Sequence, residues 1–115
     1  MSVREFHVKL TPREAMYIIK QSVTSGSVTG TLIDSYARKL GEHEIFVFIL
    51  EKYYMRSSNR ASLTVTIDNF EEQTKVHAVA AGAGEGVFFR FDWGASRSFA
   101  ASVETALRPY IVEVE

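Results

Sequence analysis

Cysteine is absent from this 115-residue chain, which excludes disulfides, thiolate metal sites and thiol catalysis. That absence is compatible with a reducing compartment. An excess of charge of one sign is also lacking. The 13 Lys and Arg against 14 Asp and Glu leave a formal net charge of -1, which removes the long-range electrostatic argument for nucleic acid or an anionic membrane as partner. No stretch reaches the roughly 18 consecutive apolar residues of a membrane helix. The opening MSVREFHVKL carries Arg4, Glu5 and Lys9 and lacks the apolar heart of a secretory signal. The expectation is a cytoplasmic, soluble protein with neither nucleic acid nor membrane as partner.

Chemical signatures are equally scarce. His7, His43 and His77 stand far apart, in no H-x-x-x-H or H-E-x-x-H spacing and with no cysteine to assist them, so no metal is expected. No G-x-S-x-G elbow is present. A Ser/His/Asp set needs only to meet in space, but no motif points to one, and no catalytic residue or cofactor is assigned. Repeats, linkers and low-complexity segments are missing too.

What is present is the composition of one globular unit. Hydrophobic residues make up 46% and charged residues 23%, close to the averages of folded domains. A chain of this length buries roughly two thirds of its unfolded surface, enough for a single core. One domain over residues 1–115 is therefore expected.

Periodicity supplies its elements. Phe6, Val8 and Leu10 alternate with Glu5, His7 and Lys9, which predicts a strand over about residues 3–10. In TPRE, Thr11 suits a helix cap, Pro12 the first helical position, and Glu14 the reciprocal bond of a capping box. Ala15, Ile18, Ile19, Ser22 and Val23 then share one helical face, and Gly26 is placed to end the helix in a left-handed cap. A strand follows within SVTGTLIDSYARKLG, and LGEH turns the chain at residues 40–43. EIFVFILEKYYM (44–55) is the most β-prone run, and RSSNRA after it has turn composition. ASLTVTIDN alternates, with Leu63, Val65 and Ile67 on one face; NFEEQT turns again; and KVHAVAA puts Val76, Ala78 and Ala80 on one face. VFFRF is expected to be a further short strand or extended segment. A second helix opens near Ser96 with a stripe of Phe99, Val103, Leu107 and Tyr110, which Pro109 stops, and YIVEV forms a short last strand.

Short connections in the middle imply antiparallel neighbours, since parallel pairing needs a crossover of about a dozen residues. Two amphipathic helices must each cover apolar surface, and one face of the sheet is the natural place. The fold class is α+β: a two-layer sandwich, an antiparallel sheet of about five to six strands with two helices on one face, in the order β-α-β-β-β-β-(β)-α.

The run EIFVFIL breaks the alternation. Ile45, Val47 and Ile49 point one way while Phe46, Phe48 and Leu50 point the other, so both faces of that strand are apolar. Curvature of the sheet, the C-terminal segment, or another copy of the chain can supply the second cover. Left uncovered, the Phe46, Phe48, Leu50 row makes a patch of about the few hundred Å² that marks interaction sites. These three residues are the candidate interface.

Three stretches invite a site. Gly82, Gly84 and Gly86 alternate in AAGAGEG. A phosphate cradle needs backbone N–H groups converging on a helix N-terminus, whereas an extended VFFRF follows here, and Glu85 repels anions. A hairpin or bulge is the simpler reading, with Arg90 as the residue that favours an anion. In the basic turn KYYMRSSNR, the residues Lys52, Arg56 and Arg60 stand beside Tyr53 and Tyr54. That pattern serves single-stranded nucleic acid but is equally an ordinary solvated hairpin end. In FDWG, Trp93 either lids a cavity or fills the gap between helix and sheet, and Asp92 caps the turn. A ligand pocket between the sheet and the C-terminal helix therefore has Gly82, Gly84, Gly86, Arg90 and Trp93 as its candidates. Glu51 continues the face of Ile45, Val47 and Ile49 to the strand end, where it reaches water.

The run EKYYMRSSNRASLTVTID, with the glycine segment and FRFDWG, resembles a small family of uncharacterised bacterial proteins of about this length. That resemblance covers most of the chain and implies a bacterial source, no known activity and no functional residue to carry over. The element order also looks similar to helix-grip ligand-binding folds, which have more strands and longer chains; fold analogy does not give function. The leading expectation is a non-enzymatic domain that self-associates as a homodimer or binds a protein partner through its sheet face. The alternative is a small-molecule binder for an apolar or anionic ligand.

Overall fold

Local signals and strand pairing together set the architecture. A computed structural model describes residues 1–25, 30–54, 59–82 and 89–112, and the side chains of residues 54, 59 and 89–96 lie outside that description. Its elements are β1 (Ser2–Val8), α1 (Pro12–Thr24), β2 (Thr31–Leu40), β3 (His43–Tyr54), β4 (Asn59–Asp68), β5 (Thr74–Gly82) and α2 (Phe89–Leu107), followed by a 3-10 turn at Arg108–Tyr110. The strands form one sheet in the order β1-β5-β4-β3-β2, antiparallel throughout. The α+β sandwich expected from the sequence is the fold observed, and the middle of the chain is a four-stranded meander.

The TPRE start works as a capping box. Thr11 Oγ1 accepts a hydrogen bond from the Glu14 backbone N–H at 3.1 Å, and the Glu14 carboxylate accepts one from the Thr11 N–H at 2.9 Å. Helix α1 buries Pro12, Ala15, Ile19 and Val23. It ends at Thr24 on an extended Ser25, ahead of the left-handed Gly26 cap the sequence suggests; Gly26 lies outside the described residues. Between β2 and β3 the chain reverses in two residues, with Gly41 at φ 60°, a conformation glycine adopts without steric cost. Asn69 ties this reversal to the β4–β5 connection. Its side-chain oxygen accepts from the Glu44 N–H at 2.7 Å, and its amide donates to the Glu42 carbonyl at 3.0 Å.

The helices share one face of the sheet. Helix α2 lies over β5, β1 and β4, and α1 lies over β3 and reaches β2 and β4. Phe48, Leu50, Leu63, Val65, Ile67, Val76, Ala78 and Ala80 meet Ile19, Val23, Phe99, Val103 and Leu107 in one core. Two cations finish the cover at its rim: Arg13 stands over the Phe46 ring at 5.4 Å from its centroid and Lys20 over Phe48 at 5.3 Å. The charged groups themselves face the rings, within cation–π distance.

This settles the ambiguous strand. Phe46 is 6% exposed and Phe48 and Leu50 are fully buried beneath the helices, so the row expected as an interface is core. Two further expectations are corrected. Phe89–Phe91, within the predicted strand VFFRF, are helical, and α2 starts seven residues before Ser96. YIVEV forms no strand over its described part: a 3-10 turn at Arg108–Tyr110 leads to a single bridge between Ile111 and Val8.

Two substitutions test this packing. A Cβ on Gly30 would sit 2.6 Å from a Val23 methyl group, inside a contact closed by the 2.7 Å bond from the Gly30 N–H to the Val23 carbonyl. Val23 is buried and stiff at χ1. Gly30→Ala is expected to cost about 1–3 kcal/mol in urea unfolding. Phe48→Ala leaves a large cavity and is expected to cost about 3–5 kcal/mol, read from the same denaturation midpoint.

Candidate functional site

Two helices cover one face of the sheet, and among the described residues no element lies over the other. Antiparallel register puts directly opposed residues on one face, so the open face can be followed strand by strand. One row runs Tyr36, Val47, Thr66, His77, Glu5, and the next runs Asp34, Ile49, Thr64, Val79, Val3. Ile45, Val47 and Ile49 form its half-buried apolar centre, with Tyr36 exposed on one side and two threonines on the other. The second apolar side of EIFVFIL is thus real, but it is this row and not the phenylalanines.

The two edges of the sheet differ. Along β1, the Lys9 N–H donates to the Tyr110 carbonyl at 2.9 Å and the Val112 N–H to the His7 carbonyl at 2.8 Å, so the C-terminal segment caps part of that edge. At the opposite edge, every residue of β2 from Thr31 to Leu40 is exposed. Among the described residues, nothing pairs with its outer side. Leu32, Ile33, Tyr36 and Leu40 all count among the exposed large hydrophobics, Leu40 at 80%. A bulge between Leu32 and Asp34 is the one irregularity. A long edge strand with apolar side chains is a template for another strand.

Polar pairs mark the far side of the open face. The Glu5 carboxylate can only accept, so His77 Nδ1 carries the proton and donates to it at 2.7 Å. His7 Nε2 likewise donates to Glu71 at 3.2 Å. The hydrogen bond from His77 holds the Glu5 carboxyl below its ordinary pKa, and the positive charge of Lys75 adds to it. Glu51 meets Arg60 at 3.2 Å at the strand end. Among the described residues no group of three His, Cys, Asp or Glu is gathered as for a metal ion.

The predicted ligand residues are only partly placed. Gly82 ends β5 opposite Ala61. Gly84 and Gly86 lie outside the described residues, as do the side chains of Arg90 and Trp93. The backbone of Arg90, Asp92 and Trp93 is inside α2, so Asp92 does not cap a turn ahead of the helix. Helix α2 also means that the glycine segment leads towards a helix rather than a strand, contrary to the extended segment expected there. Over its described part the interface of α2 with the sheet is filled by Phe99, Ala100, Val103 and Leu107. A groove of about 790 Å³ does occur on the outer side of α1, lined by Leu10, Met16, Tyr17, Ile18 and Tyr110 among others. Of the basic turn, Arg60 is engaged with Glu51, and Arg56 lies outside the described residues.

Glu5 gives a pH prediction. Because its folded pKa is lowered, its contribution to stability is present above the ordinary carboxylate range and is lost as pH falls through the lowered value. His77→Ala is expected to raise the Glu5 pKa towards its ordinary value and to flatten the acid limb of the stability–pH curve. Carboxyl NMR titration of wild type and variant checks the first effect, and urea midpoints at a series of acid pH values check the second.

A family model described as Family of unknown function (DUF6054) matches residues 1–111. No curated protein and no solved structure matches the chain. The family match spans nearly its whole length, and the chain belongs to that family.

Proposed function

We propose that this member of the DUF6054 family is a non-enzymatic association module that self-associates through the uncovered side of its sheet. One observation carries the reading: β2 is exposed along its whole length with an outer edge that no described residue pairs, beside a half-buried apolar row on β3. A strand in that state leaves N–H and C=O groups and large apolar side chains to water that a second chain can take up. The C-terminal segment gives the β1 edge partners that β2 lacks among the described residues. The cytoplasmic setting and bacterial source expected from the sequence belong to the same proposal. Among the described residues no helix is long and apolar enough to cross a membrane.

The 12.9 kDa chain is expected to give a native mass spectrum at twice that mass, with no added small molecule. Amide exchange over residues 31–40 is expected to slow as protein concentration rises, while exchange in α2 stays constant. A monomer that carries an added mass of about the few hundred daltons typical of a pocket-filling ligand would replace this reading with the small-molecule one.

A further inference from the structure

The sequence of β2 is chemically self-complementary. When a strand pairs with its own copy antiparallel about a two-fold axis at residue n, residue n+k faces residue n−k of the other copy. With the axis at Tyr36, Asp34 of each copy faces Arg38 of the other, Ser35 faces Ala37, and Tyr36 faces itself. Resting on the self-association reading, we propose that the partner is a second copy joined through β2 in this register, so that two five-stranded sheets become one continuous sheet.

Three observations on the strand favour this register. Asp34, Tyr36 and Arg38 all lie on the open face, opposite Ile49, Val47 and Ile45 of β3, so the ion pairs and the tyrosine contact form on one side. Among the described residues Asp34 has no ion-pair partner, and Arg38 rests only on its own Tyr36, 4.7 Å from the ring centroid. On the helix side, the residues brought together are the small Ser35 and Ala37, which leave room for a helix layer from each copy. Neighbouring registers lose these features. An axis at Asp34 or Arg38 sets like charges against each other, and an axis at Ser35 or Ala37 separates the aspartate from the arginine. The bulge at Leu32/Asp34 bounds the matched stretch at Asp34. Beyond it, Leu32 and Ile33 of one copy approach the exposed Leu40 end of the other.

The two-fold axis makes every substitution count twice, so charge reversal is a sharp test. Arg38→Asp leaves two aspartates on each strand, and Asp34→Arg leaves two arginines. Each variant alone is expected to dissociate at least about tenfold more readily than wild type, because like charges then stand directly opposite. Both sites are exposed, so far-UV circular dichroism is expected to stay that of the wild type, while the thermal midpoint falls only by the stabilisation that association lends to the wild type. Mixed together, the two variants are expected to form a heterodimer, since each Arg then faces an Asp, and the doubly reversed chain is expected to dimerise like wild type. Sedimentation velocity and native mass spectrometry read all four. Single variants as dimeric as wild type, or a mixture that stays monomeric, overturn this register and leave self-association standing. A wild-type chain that stays monomeric at about 100 µM, where contacts of only micromolar strength are already populated, overturns both.

Discussion

The burial of Phe46, Phe48 and Leu50 under the helix layer is the contact on which the other features depend. These side chains form the middle of the core, and α1 reaches them by crossing from the β1 side of the sheet towards β2. Once that face is core, the opposite row of Ile45, Val47 and Ile49 faces away from both helices. Two helices cannot cover both faces of a five-stranded sheet, so the uncovered side follows from the same contact that stabilises the fold.

The helix layer also explains why β2 stands apart. The first helix lies over β3 and reaches β2 at its rim, where Lys20 donates to Ser35 at 2.9 Å while lying over Phe48. Helix α2 sits towards β1 and β5. A ten-residue strand is then held by its pairing to β3 and by few side-chain contacts, which is why none of its residues is buried. At the far edge, the turn at Arg108–Tyr110 brings the chain back to β1 and supplies backbone partners there. The asymmetry of the two edges is a product of where the helices end.

Much of this was legible in the residues. Thr11, Pro12 and Glu14 predict the helix start, and both bonds of the box are formed. Leu63, Val65 and Ile67, with Val76, Ala78 and Ala80, face the core as their alternation requires. Two readings failed for physical reasons. The aromatic run VFFRF has the composition of a strand, but a short apolar run carries no period of its own, and its described residues are helical. In EIFVFIL both faces are apolar, so alternation gives no sign for which one is covered. Asn69, which ties the β4–β5 connection to the β2–β3 reversal, carries no signal beyond turn composition.

Local chemistry by itself determined the elements: capping, period-two alternation and turn residues act over a few neighbours and need no tertiary partner. The short connections likewise determined that the meander is antiparallel. Which face of β3 is core, which edge of the sheet stays open, and that β2 is exposed on both sides were decided only by tertiary structure. Each depends on where a helix distant in sequence comes to rest, and that position is set by the sum of core contacts rather than by any one segment.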